Sequence, residues 1–325
     1  SWYYLRFTDS KNKKEPFDRK KADYWMPVNQ YIGGAEHACM HLIYARFFTK
    51  ALRDLGFVKF KEPFIRLFNQ GMIHGEDGAV MSKSLGNVVD PLEISKKYGA
   101  DALRLFLISV ASPDKDSTWS STGIEGSWKF VKRVYDYLTR VKISKTSERT
   151  ESKIHKTLKE VSENIENFGY NYALIKIRAL FDSLENKISK ADLNIFLKII
   201  SPFCPHIAEE FWEKAGNKGF ISLSEWPKAD EKKINDKFDK ADETMEKVLS
   251  DIINIIKIVK EKQGKEVKRV YLYAMPHELE MYDSNKLELK LFLPVKVFAV
   301  NDKKKYDPQG RAGKAKPGKP AIFVD

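Results

Sequence analysis

The run Tyr31-Ile32-Gly33-Gly34-Ala35-Glu36-His37-Ala38-Cys39-Met40-His41 constrains the fold of this chain more than any other stretch. It reads as a strand end, a glycine turn and a helix start. Two adjacent glycines let the backbone cross tightly from extended to helical and let a ligand approach the main chain closely. Glu36, His37 and His41 then fall near the positive end of the helix, with positions 37 and 41 spaced to share one face. The same alternation runs through the first region. Gln30 to Gly34 leads into a helix through Asp54, Leu67 to His74 reads as the next strand, Asp90-Pro91 starts a helix that Gly99 ends, and Asp101 to Val110 is a second, more apolar helix. Strands alternating with helices predict a parallel α/β sheet, whose ligands bind outside the carboxyl ends of the strands.

Further along, Val80-Met81-Ser82-Lys83-Ser84-Leu85-Gly86-Asn87 places a flexible cation between two small hydroxyl residues, soon after a predicted strand. Hydroxyl and N–H donors in such a loop can approach phosphate oxygens, and Lys83 can meet the charge that builds on a departing pyrophosphate. Alone, the loop reads equally as a solvated turn. Paired with the glycine run upstream, where a carboxylate suits a ribose and imidazoles suit adenine or phosphate, it points to ATP. A metal reading of His37, Cys39 and His41 fails on spacing. Only 37 and 41 face the same way on a helix, Glu36 precedes the first histidine, and no Cys-x-x-Cys exists, so no metal site is expected.

From about Ile124 to Asn235 the period becomes helical, with Trp128, Val131, Val134, Tyr135 and Leu138 on one stripe and Ala173, Ile177, Leu180 and Leu184 on another. A helical bundle follows from this pattern. Phe196, Leu197, Ile199 and Ile200 are interrupted at Pro202 and Pro205 before a helix resumes through His206, which reads as a structural residue at a helix start. From Ala241 a long amphipathic helix ends at Gly264. Val270, Leu272 and Ala274 then alternate with Arg269, Tyr271 and Tyr273 as a half-buried strand, with further strands at Val295 to Val300 and Pro320 to Val324. The closing stretch carries Lys303, Lys304, Lys305, Arg311, Lys314, Lys316 and Lys319 against three aspartates, broken by glycines and prolines. It reads as a flexible cationic strip suited to an RNA backbone, or as a solvated tail.

Composition is compatible with an RNA-handling protein. Lys plus Arg number 57 against 45 acidic residues, a formal net charge of +12, which favours polyanionic partners. Cys39 and Cys204 lie in apolar helical contexts and read as reduced thiols. No apolar run reaches the length of a membrane span and no signal peptide opens the chain, so no membrane association is expected and cytoplasm is the default location.

These motifs together resemble the C-terminal half of a class I aminoacyl-tRNA synthetase, most of all a leucyl-tRNA synthetase. The likeness is carried by Ser1-Trp2-Tyr3-Tyr4, Gly33-Gly34-Ala35-Glu36-His37, Asn69-Gln70-Gly71-Met72, Met81-Ser82-Lys83-Ser84 and Trp119 through Gly126. The stretch from Tyr306 through Ile322 resembles the archaeal type. The resemblance implies three domains. Residues 1–113 form the second half of a Rossmann-like catalytic domain, 114–235 a stem and helical anticodon-binding-type domain, and 236–325 a small α/β tRNA-binding domain with a basic tail.

It also implies roles. Gly33, Gly34, Glu36 and His37 would line the adenosine site, with Gln70 and Met72 flanking adenine. Ser82, Lys83 and Ser84 would hold the triphosphate of ATP, accompanied by Mg²⁺. Tyr3, Tyr31 and His41 would shape a pocket for L-leucine, and the seven cations of the tail would meet tRNA(Leu). For Tyr3 and Tyr31 the residues alone read as well as aromatic core packing.

Two departures from the family pattern matter. Val80 stands where the loop usually opens with lysine, while Lys83 is kept. The His-x-Gly-His element and the editing insertion are absent from the chain, which begins inside a recognisable motif and so reads as a cut product, a fragment or a split-gene subunit. The expected partner is the missing N-terminal half, in cis or as a separate subunit, without which the chain would be inactive. A non-catalytic tRNA-binding fragment is the rival reading. An isoleucine or valine enzyme is disfavoured by the Trp2-Tyr3-Tyr4 and Trp119 segments.

Overall fold

The computed structural model describes residues 2–325; Ser1, the first residue of the Ser-Trp-Tyr-Tyr run, lies outside the described residues. The chain divides into two compact units, one ending at Glu231 and the other covering Lys232–Asp325.

The first unit opens with α1 (Tyr3–Thr8) and α2 (Arg19–Trp25), the latter capped by Asp18, whose side chain accepts from the Lys21 N–H. β1 (Val28–Gly34) follows, then one turn of π-helix (Ala38–Leu42) that runs into α3 (Ile43–Asp54). β1 pairs in parallel with β2 (Phe64–Gln70), placing Gly33 opposite Asn69 and Gly34 opposite Gln70. Tyr4, Leu5, Phe17, Ala22, Met26, Ala45 and Val58 form the core here. The Tyr4 hydroxyl donates to the Ala45 carbonyl at 2.9 Å and lies 2.7 Å from Thr49 Oγ1, so this buried polar group is satisfied.

The single strand expected over Leu67 to His74 is interrupted. β3 (Ile73–His74) leaves the first ladder and pairs in parallel with β4 (Ser117–Thr118). The cause is Gly71, whose N–H donates to the Pro113 carbonyl at 2.8 Å. A Cβ there would stand 2.1 Å from the Lys115 carbonyl oxygen, so the two backbones meet where only glycine fits. Between β3 and β4 lie α4 (Pro91–Tyr98), capped by Asp90, and α5 (Ala100–Val110); Gly99, at φ 87°, ends one and begins the other.

The helical part comprises α6 (Ser121–Arg140), α7 (Glu148–Glu166), α8 (Tyr170–Ser183), α9 (Lys190–Ile200) and α10 (Pro205–Lys214). Two short strands, β5 (Lys142–Ile143) and β6 (Lys187–Ile188), form a parallel ladder between them. Ile154, Leu158, Ala173, Leu174, Ile177, Phe196, Leu197 and Ile199 are buried in one core with Val134, Leu138 and Leu180. Along α6 the buried stripe is Ile124, Ser127, Phe130, Val134 and Leu138. Tyr135, expected on it, is exposed, its ring edge-on to Phe211.

The second unit contains α11 (Asp236–Gln263), β7 (Val270–Ala274), α12 (Ser284–Leu291), β8 (Val295–Ala299) and β9 (Ala321–Val324). Gly264 ends α11 in the left-handed region at φ 61°. The strand order is β8-β7-β9, parallel to β8 and antiparallel to β9. The half-buried strand expected at 270–274 is buried at all five positions. One face packs with Val248, Leu249 and Ile252 of α11; the other, Tyr271 and Tyr273, is covered by Phe298, Ala312 and Phe323. The closing stretch is therefore folded onto the sheet, a correction to the flexible strip. The Tyr273 hydroxyl donates to the Tyr306 carbonyl, and the Asp307 carboxylate accepts the N–H groups of Arg311 and Ala312 at 2.7 and 2.9 Å. Among the described residues no helix is long and apolar enough to cross a membrane.

Candidate active site and cationic face

The parallel pairing of β1 with β2 brings the glycine run and Asn69-Gln70 side by side at the carboxyl ends of two adjacent strands. Glu36 is exposed and turned back, so that a Cβ on Gly34 would stand 2.2 Å from its Oε1; one on Gly33 would meet the His37 ring at 3.6 Å. His37 sits at the N-terminal end of the helical segment, as expected, but the turn that follows it is π-helical before α3 begins. Cys39, read as lying in an apolar context, is exposed, whereas Cys204 is buried; both are free thiols.

Tyr3, Tyr31 and His41 come together. His41 stacks on Tyr31 with ring centres 5.6 Å apart and 6° between planes, and its Nδ1 lies 3.3 Å from the Tyr31 hydroxyl. Tyr3 packs on His41 at 5.4 Å. Phe64, at the start of β2, completes the cluster at 4.7 Å from Tyr31 and 6.1 Å from His41. Burial above all holds His41 below the usual imidazole range and favours its neutral form, with a smaller contribution from the neighbouring His37. Burial first, then Tyr3 and Glu36, raises the Tyr31 hydroxyl above the ordinary phenol range. The result is an apolar, aromatic wall with neutral polar tips. Phe64 was missed from the sequence, where it is one apolar residue of a strand with no distinguishing neighbour.

Beyond Gln70 the chain is held by Asp116, whose Oδ1 accepts the Met72 N–H at 2.8 Å. Gln70 and Met72 are both exposed. The lysine loop then grows from a hairpin in which Gly75 N–H donates to the Ala79 carbonyl at 2.9 Å and His74 bridges Val80. Met81 packs inward against a core of Leu103, Phe106, Trp119 and Ile124. Asn87 closes the loop. Its Oδ1 accepts the Ser82 N–H at 2.9 Å, while its amide donates to Asp77 and to the Val80 carbonyl at 3.3 Å. Ser82 Oγ lies 3.0 Å from Ser84 Oγ and accepts the Leu85 N–H at 3.2 Å. Lys83 is exposed at the tip and makes no ion pair among the described residues. The loop thus has a fixed frame and an uncommitted cation. The framing role of Asn87 was not singled out, although asparagine just after a glycine is an ordinary turn signal.

In the second unit Lys303, Lys304, Arg311, Lys314, Lys316 and Lys319 are exposed and Lys305 half-buried. None of the seven makes an ion pair among the described residues. Elsewhere, ligand-type atoms of Glu151, His155 and Asp192, none singled out from the sequence, lie within 4.8 Å of one another among the helices. Asp192 Oδ2 there already accepts the hydroxyls of Thr146 and Ser189 at 2.5 and 2.6 Å.

Residues 12–120 match the family of class I tRNA synthetases (I, L, M and V), and residues 149–270 match the anticodon-binding domain of tRNA ligase. The leucine–tRNA ligase of Thermosipho melanesiensis is 45% identical over 255 residues, covering 71% of this chain and 31% of its own length. That of Petrotoga mobilis is 40% identical over 257 residues, with the same shares. Among solved structures, the ternary complex of Agrobacterium radiobacter K84 agnB2 LeuRS with tRNA and LeuAMS superposes with a TM-score of 0.65 at 31% identity, over 72% of this chain and 33% of that one. The chain spans about a third of the length of the curated relatives it matches. It belongs to the class I tRNA synthetases, as a C-terminal portion of the leucyl type.

Proposed function

We propose that this chain supplies half of the site at which leucine is activated with ATP and then joined to tRNA(Leu). The observation that carries the reading is the register of β1 on β2, which sets Gly33 and Gly34 beside Asn69 and Gln70, with Tyr31 of the same strand gathering Tyr3 and His41 into one cluster. Gly33, Gly34, Glu36 and His37 line the adenosine, and Gln70 and Met72 flank adenine. The aromatic wall takes the leucine side chain. Leucine carboxylate attacks the α-phosphorus, the bond to the bridging oxygen breaks, and pyrophosphate leaves with the electron pair. No protein nucleophile is needed, so positioning and charge stabilisation supply the rate. Ser82, Lys83 and Ser84 hold the triphosphate. Mg²⁺ would accompany the nucleotide, and no cluster of carboxylates in the described loop specifies its ligands.

In this reading residues 1–113 are the later part of a Rossmann-like catalytic domain, 114–235 the stem and anticodon-binding bundle, and 236–325 the tRNA-binding domain, in a cytoplasmic enzyme. The upstream portion supplies the rest of the fold, and with it the first-half ATP contacts. The archaeal likeness of the closing stretch lies beyond residue 270, outside both family matches. A second reading, a tRNA-binding subunit without catalysis, rests on Val80 in place of the loop's usual first lysine, and the leucine–tRNA ligase relatives do not favour it.

Amino-acid-dependent ATP–pyrophosphate exchange tests these, with leucine, isoleucine, valine and methionine, on the chain alone and combined with its upstream portion. Leucine-specific exchange in the combination alone is the expected outcome. No exchange, with both parts folded and associated, selects the RNA-binding reading. In the complete enzyme Lys83→Ala should lower adenylate formation at least about tenfold, equivalent to about 1.4 kcal/mol of transition-state stabilisation. An unchanged rate removes Lys83 from the mechanism.

A further inference from the structure

Glu278 lies on the short 3₁₀ turn Pro276–Met281 that follows β7, and it is only 6% exposed. A buried carboxylate is costly unless it is well paired. Its one hydrogen bond among the described residues runs from the Gly318 N–H to Oε1 at 2.7 Å; Oε2 has no hydrogen-bond partner, and exposed His277 lies 3.7 Å from Oε1. Gly318 belongs to the tip Lys316-Pro317-Gly318-Lys319, closed by reciprocal main-chain bonds between Lys316 and Lys319 at 3.0 and 2.9 Å. Gly318 sits at φ 73°, a left-handed conformation that glycine adopts without strain. The basic segment is thus tied at two points by carboxylates to main-chain N–H groups, Asp307 at Arg311 and Ala312, and Glu278 at Gly318. Neither carboxylate touches a lysine of the segment, so the ties restrain the backbone while leaving the positive charges unneutralised.

We propose that Glu278 is a positioning residue for RNA. Holding the Gly318 N–H from inside the unit fixes the tip, so that Lys316 and Lys319, with Lys314 before them, stand as a preset row facing a phosphate backbone. This rests on the reading of the closing stretch as a tRNA contact and deepens it. A fixed row binds without first ordering its own backbone, which is where the affinity gain arises. The buried charge is kept because an acceptor inside the unit is what stops the tip from swinging.

The test uses the 325-residue chain and a leucine-accepting tRNA transcript, with affinity measured across a range of salt. Glu278→Ala should weaken binding on the order of fivefold, the scale of ordering one or two long side chains on binding. It should also flatten the salt dependence by about one phosphate contact, a slope change of roughly 0.7 to 0.9. Glu278→Gln, whose amide oxygen still accepts from Gly318, should restore both. A simple loss of folding stability would leave the salt slope of the folded fraction unchanged. If the alanine variant does not fold, Glu278→Met, close in volume and without the acceptor, is read in the same way. Wild-type affinity and slope in the acceptor-free variant overturn the proposal, as does failure of Glu278→Gln to restore them. The joint variant Lys316→Ala, Lys319→Ala separates the two layers. If it weakens binding while the acceptor-free variant does not, only the positioning role falls. If it binds as wild type does, this tip is no RNA contact and both fall together.

Discussion

Asp101 is buried at the start of α5, yet its carboxylate answers three donors at the start of α10. It accepts the main-chain N–H groups of His206 and Ile207 at 3.2 and 2.9 Å, and the His206 ring nitrogen lies 2.7 Å from it. A carboxylate at a helix N-terminus satisfies orphan donors and meets the helix dipole. Asp101→Ala should therefore cost about 1 to 2 kcal/mol, the scale of a lost helix cap, since it leaves two main-chain donors at the start of α10 without their acceptor. Urea unfolding followed by tryptophan emission checks this, and a loss under about 0.5 kcal/mol, within the range of ordinary surface changes, would contradict it. The sequence marked His206 as a helix-start residue but could not show that its partner lies on another helix, because nothing local to position 206 encodes Asp101.

Asp9 supports a pH prediction of definite sign. Lys21 Nζ at 2.5 Å, then the Asn12 amide at 2.8 Å, hold its carboxyl below the usual carboxylate range. A folded pKa below the unfolded one means that the stabilisation is complete above the unfolded value and is lost as pH falls through the folded value. Asp9→Asn should flatten the fall in unfolding midpoint below about pH 4. Parallel acid profiles for the two proteins would count against the role.

At the scale of elements, the helices were the legible part. Asp90, Ser120, Ser147 and Ser189 cap α4, α6, α7 and α9, and Gly99 and Gly264 stop α4 and α11, all through chemistry carried within a turn of sequence. The strands were less so. Nothing near Gly71 announces that the Lys115 backbone will press against it, so β2 and β3 read as one strand. Gly71→Ala should destabilise the first unit by roughly 1 to 3 kcal/mol, the scale of an overpacked site, because a neighbouring backbone cannot give way as a side chain can. Thermal melting of the variant decides it, and an unchanged midpoint would mean that the 115 segment moves aside freely. Similarly, β7 alternates as though one face met water, since the cover over Tyr271 and Tyr273 arrives from residues far downstream. In the site, the paired glycines and the Ser-Lys-Ser loop were legible as motifs. Their frame, made by Phe64, Asn87 and Asp116, was not, because ring stacking and loop bracing depend on tertiary approach and leave no spacing rule.

On the scale of the whole molecule, the β1–β2 ladder has two strands, and Ile32, Ile65 and Leu67 on it are 52%, 60% and 51% exposed. Parallel strands ordinarily have both faces covered. The proposed upstream portion would cover these side chains, so the chain alone should bind a hydrophobic dye and its fluorescence should fall when that portion is added. Dye binding unaffected by a portion shown to associate would place the contact elsewhere.

The division at Glu231 also has a spectroscopic consequence. All six tryptophans, the last of them Trp226, belong to the first unit, whereas the second has tyrosines but no tryptophan. Tryptophan emission therefore originates in one unit alone, whereas far-ultraviolet dichroism samples both. Agreement between the two is the criterion for a single cooperative transition. Where the two melting curves part, the gap between them measures the independence of the second unit.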